Sequence, residues 1–450
     1  GYERGTSISK QWDQATTYAA IETAGYLVER LHELPGYKQD DSQRGDMLRD
    51  YCRQFAERAF RGPVGDELAA ALIDRHFEQA DSPEQATKLA LILILKSPRF
   101  LYVDLHDHPH DSHAVAARLA LGLWDSLPDE ALRKAADADA LQTREQVAAQ
   151  ARRMLNHPLA AAKMLAFFHE WLNLHHMQHI AKDAEQFPEF NEQVLSDLRE
   201  SLDRQLNAVM WSETSDFRQL LLSDAIYFNG RLAALYGGKL PPEADFQPIQ
   251  LDAQRRSGVL THPLLMTGFA HREQTSPIHR GVFLARNVLG RRLRPPQEDF
   301  DVISPDLHPE MTTRERVALQ TESRACQQCH AMINPLGFSL EHFDAVGRFR
   351  NEDNKKPVDA SGEYRTIDGQ PIAFDSAVEL AQFAAESTEA QQAFIERLFH
   401  HVAKQPLLAY GENKPSELRE QFARDNFNMQ SLLVEIATTT AFDVENHKPR

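Results

Sequence analysis

Apolar residues recur along most of the chain with the spacing of α-helix faces. In residues 12–34 they fall at intervals of three and four, and the stretch ends at Pro35-Gly36. At Ser82-Pro83 a capping serine and a first-turn proline predict the start of a helix that ends before Ser97-Pro98. The same pattern predicts further helices over 46–60, 113–124, 128–137, 143–156, 158–173, 189–212, 279–289, 376–387, 389–404, 414–424 and 429–440, and a helical pair over 216–235. We therefore predict an all-α, multi-helical fold.

Three stretches interrupt the helical pattern. Residues 237–256 are polar and proline-rich, and 295–309 form a second long irregular tract. Residues 351–375 contain Ser361-Gly362 and Asp368-Gly369 between short β-prone pieces, which predicts one small β-hairpin. A length of 450 residues is typical of about three domains. Several helical subdomains with one small hairpin are therefore expected.

Composition excludes some classes of protein. Hydrophobic residues make up 42% and charged residues 26%, as in ordinary globular proteins, which excludes a largely disordered chain. There are 49 Lys and Arg against 66 Asp and Glu, and the formal charge of −17 argues against a nucleic-acid-binding protein. The longest apolar run, Leu89–Leu95, is far shorter than the roughly 20 residues of a membrane-spanning helix.

The cysteines carry the most specific chemistry. There are three, Cys52, Cys326 and Cys329, too few for a disulfide framework in a chain of this length. Cys52 lies among apolar residues at helical spacing and is expected to be buried. The other two belong to Cys-Gln-Gln-Cys-His, which ends at His330 and is the attachment motif for a c-type haem. On a helix, side chains three and four residues apart share one face, so both sulfurs and the imidazole can reach one porphyrin.

The motif has competing interpretations. A thioredoxin-like redox pair needs a βαβ context that is not apparent here. A zinc site would need a fourth ligand and usually a second cysteine pair, and the sequence has none. If haem is attached, Cys326 and Cys329 would form thioethers and His330 would bind the iron as proximal ligand. Covalent haem attachment in bacteria takes place after export, so the mature protein is expected outside the cytoplasm.

The residues after the motif suggest how the haem helix ends. Asn334-Pro335 predicts its end, because proline cannot continue a helix and restricts the residue before it. A carbonyl in that turn is expected to accept the Nδ1–H of His330, which leaves Nε2 to face the iron. Asp344 and Arg348 are four residues apart and are predicted to form a pair on a helix face. Alternatively, Arg348 contacts the haem propionates.

The segment from Cys326 to Arg348 reads CQQCHAMINPLGFSLEHFDAVGR and resembles the planctomycete-type cytochrome c proteins. These are built from modules of unknown function called DUF1595, DUF1592, DUF1588 and DUF1585. Shorter matching stretches follow in the same order over most of the chain. They are Phe55–Arg61 for the first module, Ser97–Leu101 with Leu123–Pro128 for the second, Thr275–Pro277 and Arg280-Gly281 for the lead-in to the haem module, and Lys404–Pro406 with Ala409–Gly411 for the last.

The resemblance implies four modules and an exported cytochrome. The modules are DUF1595-like over 1–105, DUF1592-like over 106–240, DUF1588-like with the haem over 250–350, and DUF1585-like over 360–445. It implies one haem c per chain and a periplasmic or extracellular location. The expected partner is a redox protein or a small-molecule oxidant or reductant, and no nucleic acid. The main hypothesis is a monohaem cytochrome that transfers electrons.

The sixth iron ligand separates electron transfer from catalysis, because an open sixth position can bind peroxide or oxygen. His271 and Arg272 are candidates for a distal acid/base and a charge-stabilising group in a haem-dependent oxidoreductase, peroxidase-like or oxygenase-like. His401 is a candidate ligand on the predicted helix 389–404. Met266, Met311 and Met429 remain further possible ligands. A third hypothesis is a scaffold protein in which haem serves only as a structural staple.

Overall fold

A computed structural model describes residues 8–102, 111–177, 179–293 and 308–442. Within these ranges the chain is mostly α-helical, with only two-stranded sheets, which confirms the predicted all-α fold. The chain divides into two compact units, one formed by 1–154 with 437–450 and the other by 155–436. None of the helices in the described ranges has the length and apolar character needed to cross a membrane.

Helices are the regular secondary structure of the first unit in its described residues. Its helices are α1 Lys10–Glu29, α2 Arg44–Phe60, α3 Asp66–Ala69, α4 Arg75–Gln79, α5 Pro83–Lys96, α6 Pro98–Leu101, α7 Ser112–Trp124, α8 Glu130–Asp137 and α9 Arg144–Leu155, with a 3₁₀ turn at Leu31–Glu33 and a π-helical turn at Ala70–Asp74. Helix α5 begins as predicted, because Ser82 Oγ accepts a hydrogen bond from the Gln85 amide and Pro83 occupies the first turn. Cys52 is fully buried in the core where α2 meets α5, as expected.

The second unit contains the Cys-Gln-Gln-Cys-His motif. Its helices are α10 Pro158–Trp171, α11 Glu192–Met210, α12 Phe217–Leu222, α13 Gly230–Tyr236, α14 Pro263–Gly268, α15 Pro277–Phe283, α16 Thr313–Gln320, α17 Arg324–Phe338, α18 Ala377–Glu386, α19 Thr388–Ala403, α20 Lys414–Arg424 and α21 Met429–Phe442, whose last residues belong to the first unit. Shorter turns lie at Leu174–Met177, Val259–Thr261 and Leu407–Tyr410 (3₁₀) and at Leu284–Val288 (π). The predicted helix 279–289 is therefore α15 followed by a π-helical turn.

Short antiparallel hairpins complete the second unit. They pair β1 Ala225–Phe228 with β2 Gln247–Gln250, β3 Glu352–Asp353 with β4 Lys356–Pro357, and β5 Gly362–Arg365 with β6 Pro371–Phe374. The prediction of a hairpin within 351–375 is confirmed, and that stretch in fact holds two. The predicted helical pair over 216–235 is present as α12 and α13, but strand β1 between them was not predicted. Its partner β2 lies in the polar tract 237–256, where no local pattern indicates a strand.

Aromatic rings form much of the core of the second unit. Phe394 of α19 is in edge-to-face contact with Phe167 and Trp171 of α10, at centroid distances of 5.4 Å for both pairs. It also contacts Phe217 of α12 at 4.6 Å and stacks on Phe422 of α20 at 6.3 Å. Such ring pairs add to the free energy gained from apolar burial. They bring α10, α12, α19 and α20 together around one side chain.

Candidate functional site

The two cysteines and the histidine of the motif share the accessible N-terminal half of helix α17. Ser323 caps the helix, and its Oγ accepts a hydrogen bond from the Cys326 amide at 3.3 Å. Cys326, Cys329 and His330 are partly exposed, whereas the helix from Ile333 to Phe338 is largely buried. The spacing of three and four residues therefore places two thiols and one imidazole on a face that a planar ligand can approach.

The orientation of the His330 ring is set by a chain of hydrogen bonds. His330 Nδ1 lies 2.9 Å from Asn334 Oδ1, and Asn334 Nδ2 donates to Thr321 Oγ1 at 2.8 Å. The Thr321 hydroxyl in turn donates to the carbonyl oxygen of Val317 at 2.8 Å. Both Asn334 and Thr321 are buried, so water competes little for the bond between them or for the bond from Thr321 to Val317.

The direction of each bond in this chain follows from its last member. A carbonyl oxygen only accepts, so the Thr321 hydroxyl must donate to Val317 and can only accept from Asn334. The Asn334 amide therefore presents its oxygen to His330, and His330 Nδ1 must carry the proton. The other ring nitrogen, Nε2, is left with a free lone pair, as a proximal metal ligand requires. The expected carbonyl acceptor is thus the side chain of Asn334.

Helix α15 packs directly on the motif helix through two glycines. A Cβ at Gly281 would collide with the carbonyl of Ile333, and one at Gly337 would collide with the carbonyl of Pro277. The two helices therefore touch backbone to backbone, which only glycine permits at these two positions. The contact runs along the buried half of α17 and leaves the half that carries the thiols accessible.

The prediction that Asn334-Pro335 ends the helix was wrong. Helix α17 continues through Pro335 to Phe338. Proline removes one helical hydrogen bond, but the segment is held from outside by α15 and by strand β5. At Gly362 of β5, a Cβ would lie 2.8 Å from the Pro335 carbonyl oxygen, so the strand also packs against the backbone of this turn. Tertiary packing here overrides a local helix-breaking signal.

A buried ion pair fixes the chain just after the motif helix. The side chain of Arg280, from α15, is 0% exposed and lies 3.2 Å from Glu341, whose side chain is 3% exposed. The guanidinium also donates to the carbonyl oxygens of Met266, Leu340, Phe343 and Asp344, at distances of 2.8–3.1 Å. Five acceptors around one planar cation hold the segment 340–344 against α15.

Glu341 has two further partners besides Arg280. Its Oε2 accepts from the Thr275 hydroxyl at 2.7 Å and from Arg350 at 2.9 Å. Burial raises the pKa of Glu341, and the nearby charges of Arg280 and Arg350 oppose that rise. Burial also lowers the pKa of Arg280 to about 10, so its guanidinium remains charged at neutral pH. Arg280, Glu341, Thr275 and Arg350 therefore form one buried hydrogen-bonded cluster next to the motif helix, in which Arg280 Nε has no hydrogen-bond partner among the described residues.

His271 and Arg272 lie in a different environment. The His271 ring is 5.1 Å from the ring of His279, and its backbone carbonyl accepts a hydrogen bond from Lys182 at 2.6 Å. Burial lowers the pKa of His271, and the charge of Lys182 adds to that effect. Burial also lowers the pKa of Lys182, to about 7. Arg272 is exposed and pairs with Asp183 at 3.5 Å.

The contacts of α15 indicate on which side of that helix the His271 ring lies. Pro277 and Gly281 face α17, and His279 lies two residues from each, about 200° around the helix axis. The ring of His271 contacts His279 and so lies on the far side of α15. No contact within the described residues joins His271 or Arg272 to His330, and their distal role stays a prediction.

Arg348 forms the predicted ion pair with Asp344, but in a turn and not on a helix. Its Nε lies 2.8 Å from Asp344 Oδ2, and its guanidinium lies over the ring of Phe187. The Asp344 carboxylate also accepts hydrogen bonds from the backbone amides of Val346 and Arg348, and these bonds stabilise the turn. Contact between Arg348 and a haem propionate stays a prediction.

The remaining candidate iron ligands are spread over the second unit. His401 is buried on α19, where its Nδ1 lies 3.0 Å from Glu170 and its ring contacts Phe167, both on α10. Burial lowers the pKa of His401, and Glu170 partly opposes that effect. Met266 and Met429 are buried in α14 and α21, and Met311 precedes α16. None of the described contacts of His401 joins it to α17, and its role as a ligand stays a prediction.

Several residues that build the site were not identified as such from the sequence. Thr321 and the side chain of Asn334 orient His330, and Glu341 anchors the chain after α17. The only sequence signal for Arg280 and Gly281 was the resemblance to the lead-in of a haem module. A spacing of four residues from His330 to Asn334 on one helix is the signal that points to the hydrogen bond.

Models of three protein families match the chain, each described as a protein of unknown function. DUF1595 matches residues 47–104, DUF1592 matches 111–237 and DUF1588 matches 256–353. The first match includes Ser97–Leu101, which the sequence resemblance had placed in the second module, and the third contains both Arg280 and helix α17. No curated protein and no solved structure matches the chain. These three domains are modules of the planctomycete-type cytochrome c proteins, and the chain belongs to that family.

Proposed function

We propose that the protein is an exported monohaem c-type cytochrome that transfers electrons, with haem c bound at Cys326, Cys329 and His330. One observation carries the proposal: the hydrogen bond to Asn334 leaves Nε2 of His330 free beside two thiols on one accessible helix face. Membership of the planctomycete-type cytochrome c family supports a cytochrome-like role. Among the described residues, the two thiols and the imidazole thus fit a covalently bound haem, which is the group that the Cys-Gln-Gln-Cys-His motif implies.

Each residue of the site has a distinct task. Cys326 and Cys329 would hold the porphyrin through thioether bonds, and His330 would bind the iron through Nε2. When bound, the haem supplies a one-electron redox centre. The backbone contact between α15 and α17 and the buried cluster at Arg280 keep the ligand helix in one position. A rigid frame of this kind limits the rearrangement that accompanies a change of charge.

The arrangement of side chains favours haem over a zinc ion. Across the residues that the structure describes, no three His, Cys, Asp or Glu side chains converge closely enough to share one metal ion. A structural zinc site requires four such ligands in a tetrahedral arrangement. A haem iron needs only one protein ligand on its proximal side, and the thiols bind at the porphyrin edge. Two thiols and one imidazole on a single face meet that requirement.

Covalent haem attachment is the first testable consequence. The chain is expected to gain the mass of one haem when it is produced in a host that matures c-type cytochromes, as read by intact-mass spectrometry. Cys326→Ala combined with Cys329→Ala is expected to remove that mass. Cys52→Ala is the matched control, because Cys52 is fully buried in the first unit. A wild-type mass equal to the bare polypeptide, or bound zinc in place of iron, would contradict the proposal.

Asn334 is expected to tune the iron through the His330 ring. Asn334→Leu removes the acceptor of the Nδ1 proton, so the imidazole donates less charge and the reduction potential rises. Asn334→Asp supplies a carboxylate acceptor and lowers the potential. Each shift is expected to change the redox equilibrium with a mediator by roughly tenfold.

A spectroelectrochemical titration measures both shifts. Gln327→Leu is the control, because Gln327 Nε2 donates to the Thr321 carbonyl oxygen at 2.6 Å, whereas the described hydrogen bond of the His330 ring is to Asn334. Shifts of the same sign for Asn334→Leu and Asn334→Asp would show that Asn334 acts through packing and not through the hydrogen bond.

A further inference from the structure

Two adjoining cavities form one groove in the second unit, outside the motif helix. Their volumes are about 640 and 570 Å³, and they share the wall residues Gly290, Arg291, Arg292, Ala393 and Glu396. The wall on one side follows the turn Leu284–Val288 and the residues after it, and the opposite wall is helix α19. We call this the arginine groove. No step of the proposed function uses it.

The groove concentrates positive charge on a chain whose formal charge is −17. Five arginines line it, namely Arg286, Arg291, Arg292, Arg397 and Arg419. Arg291 pairs with Glu389 at 3.4 Å, whereas exposed Arg292 makes no ion pair with any described residue. Glu170, Glu389 and Glu396 are the acidic residues of the lining, so arginine is in excess. An anionic group is therefore favoured in this groove.

Two strongly exposed apolar side chains belong to the same lining. Ile367 is 71% exposed and Leu408 is 66% exposed, the highest values for large apolar residues in the described ranges. Ile367 lines one cavity and Leu408 lines the other. Arginine is enriched at protein interfaces, and exposed apolar side chains beside arginines supply contact area for a partner.

The walls of the groove are held in place by specific contacts. Arg397 donates to the carbonyl oxygen of Arg286 at 2.7 Å, which joins α19 to the π-helical turn. Trp171 and Asn287 exchange two hydrogen bonds, at 2.9 and 2.7 Å. Gly290 has a φ of +66°, and a Cβ there would lie 2.8 Å from that of Ala393. The groove is therefore preformed, so little conformational entropy of its walls would be lost when a partner binds.

The groove also lies close to the motif helix along the chain and in space. Arg286 belongs to the turn Leu284–Val288, and that turn contacts α17. Packed helices lie about 8–10 Å apart, so a partner in the groove would be about one helix away from α17. This position suits a redox partner, although binding in the groove does not require haem.

We propose that the arginine groove binds an acidic segment of a partner protein, with apolar side chains of that segment against Ile367 and Leu408. Arginine clusters recognise acidic motifs through charge-assisted hydrogen bonds. A small anion would use the arginines but would leave the two exposed aliphatic side chains uncovered. A protein segment with acidic and apolar residues satisfies both features of the lining.

A labelled peptide tests the proposal on the full chain. The probe is a fluorescent peptide in which glutamates alternate with leucines, and the comparator has lysine in place of each glutamate. The glutamate peptide is expected to bind in a fluorescence anisotropy titration, and the lysine peptide is not. Arg286→Glu with Arg292→Glu is expected to weaken binding at least about tenfold, and Leu408→Ser about fivefold. Physiological salt is expected to weaken binding relative to low salt.

Control variants and competing outcomes complete the experiment. Arg255→Glu and Leu319→Ser change exposed side chains outside the groove and are expected to leave binding unchanged. The proposal is overturned if neither peptide binds, if both bind equally, or if the groove variants bind like wild type. It is also overturned if citrate alone binds as tightly as the peptide, which indicates a small-anion site. Self-association lost in the arginine variant would instead assign the groove to a second copy of the chain. All variants are compared by circular dichroism, and the readout is independent of haem content.

Discussion

The His330→Ala variant, produced in a host that attaches haem to c-type cytochromes, is expected to keep the mass of one haem and to lose the absorption spectrum of an imidazole-ligated iron. Under the proposed assignment the two properties separate, because the thioether bonds that Cys326 and Cys329 would form do not include the axial ligand. Added imidazole is expected to restore the wild-type spectrum, since truncation removes only the ring that Asn334 holds. Intact-mass and visible absorption measurements on one preparation show both effects.

His342→Ala is the matched control for this variant. His342 lies twelve residues after His330 in the same module, where its ring stacks on Phe349 and its Nδ1 lies 2.9 Å from the Arg350 carbonyl oxygen. Its removal is expected to leave the spectrum unchanged. An unaltered spectrum in His330→Ala, or an equal change in both variants, would contradict the assignment of His330 as the proximal ligand.

Local sequence patterns were sufficient to predict most of the helices. Helix α5 begins at Pro83 because Ser82 caps it, and both signals lie within one turn. Strand β1 was missed because its four residues gain their structure from pairing with β2, about twenty residues further along the chain. Helix α17 passes through Pro335 because α15 and β5 pack on it, and these contacts join residues far apart in sequence. Such elements depend on tertiary contacts that a local pattern does not contain.

The candidate site likewise has features that the sequence predicts and features that depend on tertiary contacts. The motif predicted which atoms would bind haem, since the spacing of Cys326, Cys329 and His330 is itself a helical pattern. The role of Asn334 required the directions of the hydrogen bonds through Thr321, which only the packed structure provides. The positions of His271 and His401 depend on how α15 and α19 pack. Sequence reasoning could name these two residues but not their neighbours.

The Arg280→Met variant is expected to lose about 3–5 kcal/mol of unfolding free energy, because it leaves the buried Glu341 with only the partly exposed Arg350 as a cationic partner. Four backbone carbonyls also lose the donor that satisfies them, among them those of Met266 and Asp344. Methionine fills a similar volume, so the loss reflects charge and hydrogen bonds more than a cavity. Denaturant unfolding followed by near-ultraviolet circular dichroism measures the change.

Two further variants separate this buried pair from an ordinary ion pair. Arg255→Met removes a cation whose side chain is 52% exposed and which pairs with Asp252 at 3.0 Å, and its expected cost is below about 1 kcal/mol. Adding Glu341→Gln to Arg280→Met is expected to recover part of the lost stability, because the buried carboxylate that has lost one of its two cationic partners is then gone. Equal costs for Arg280→Met and Arg255→Met, or no recovery in the double variant, would mean that the segment after α17 is held by apolar packing and not by this cluster.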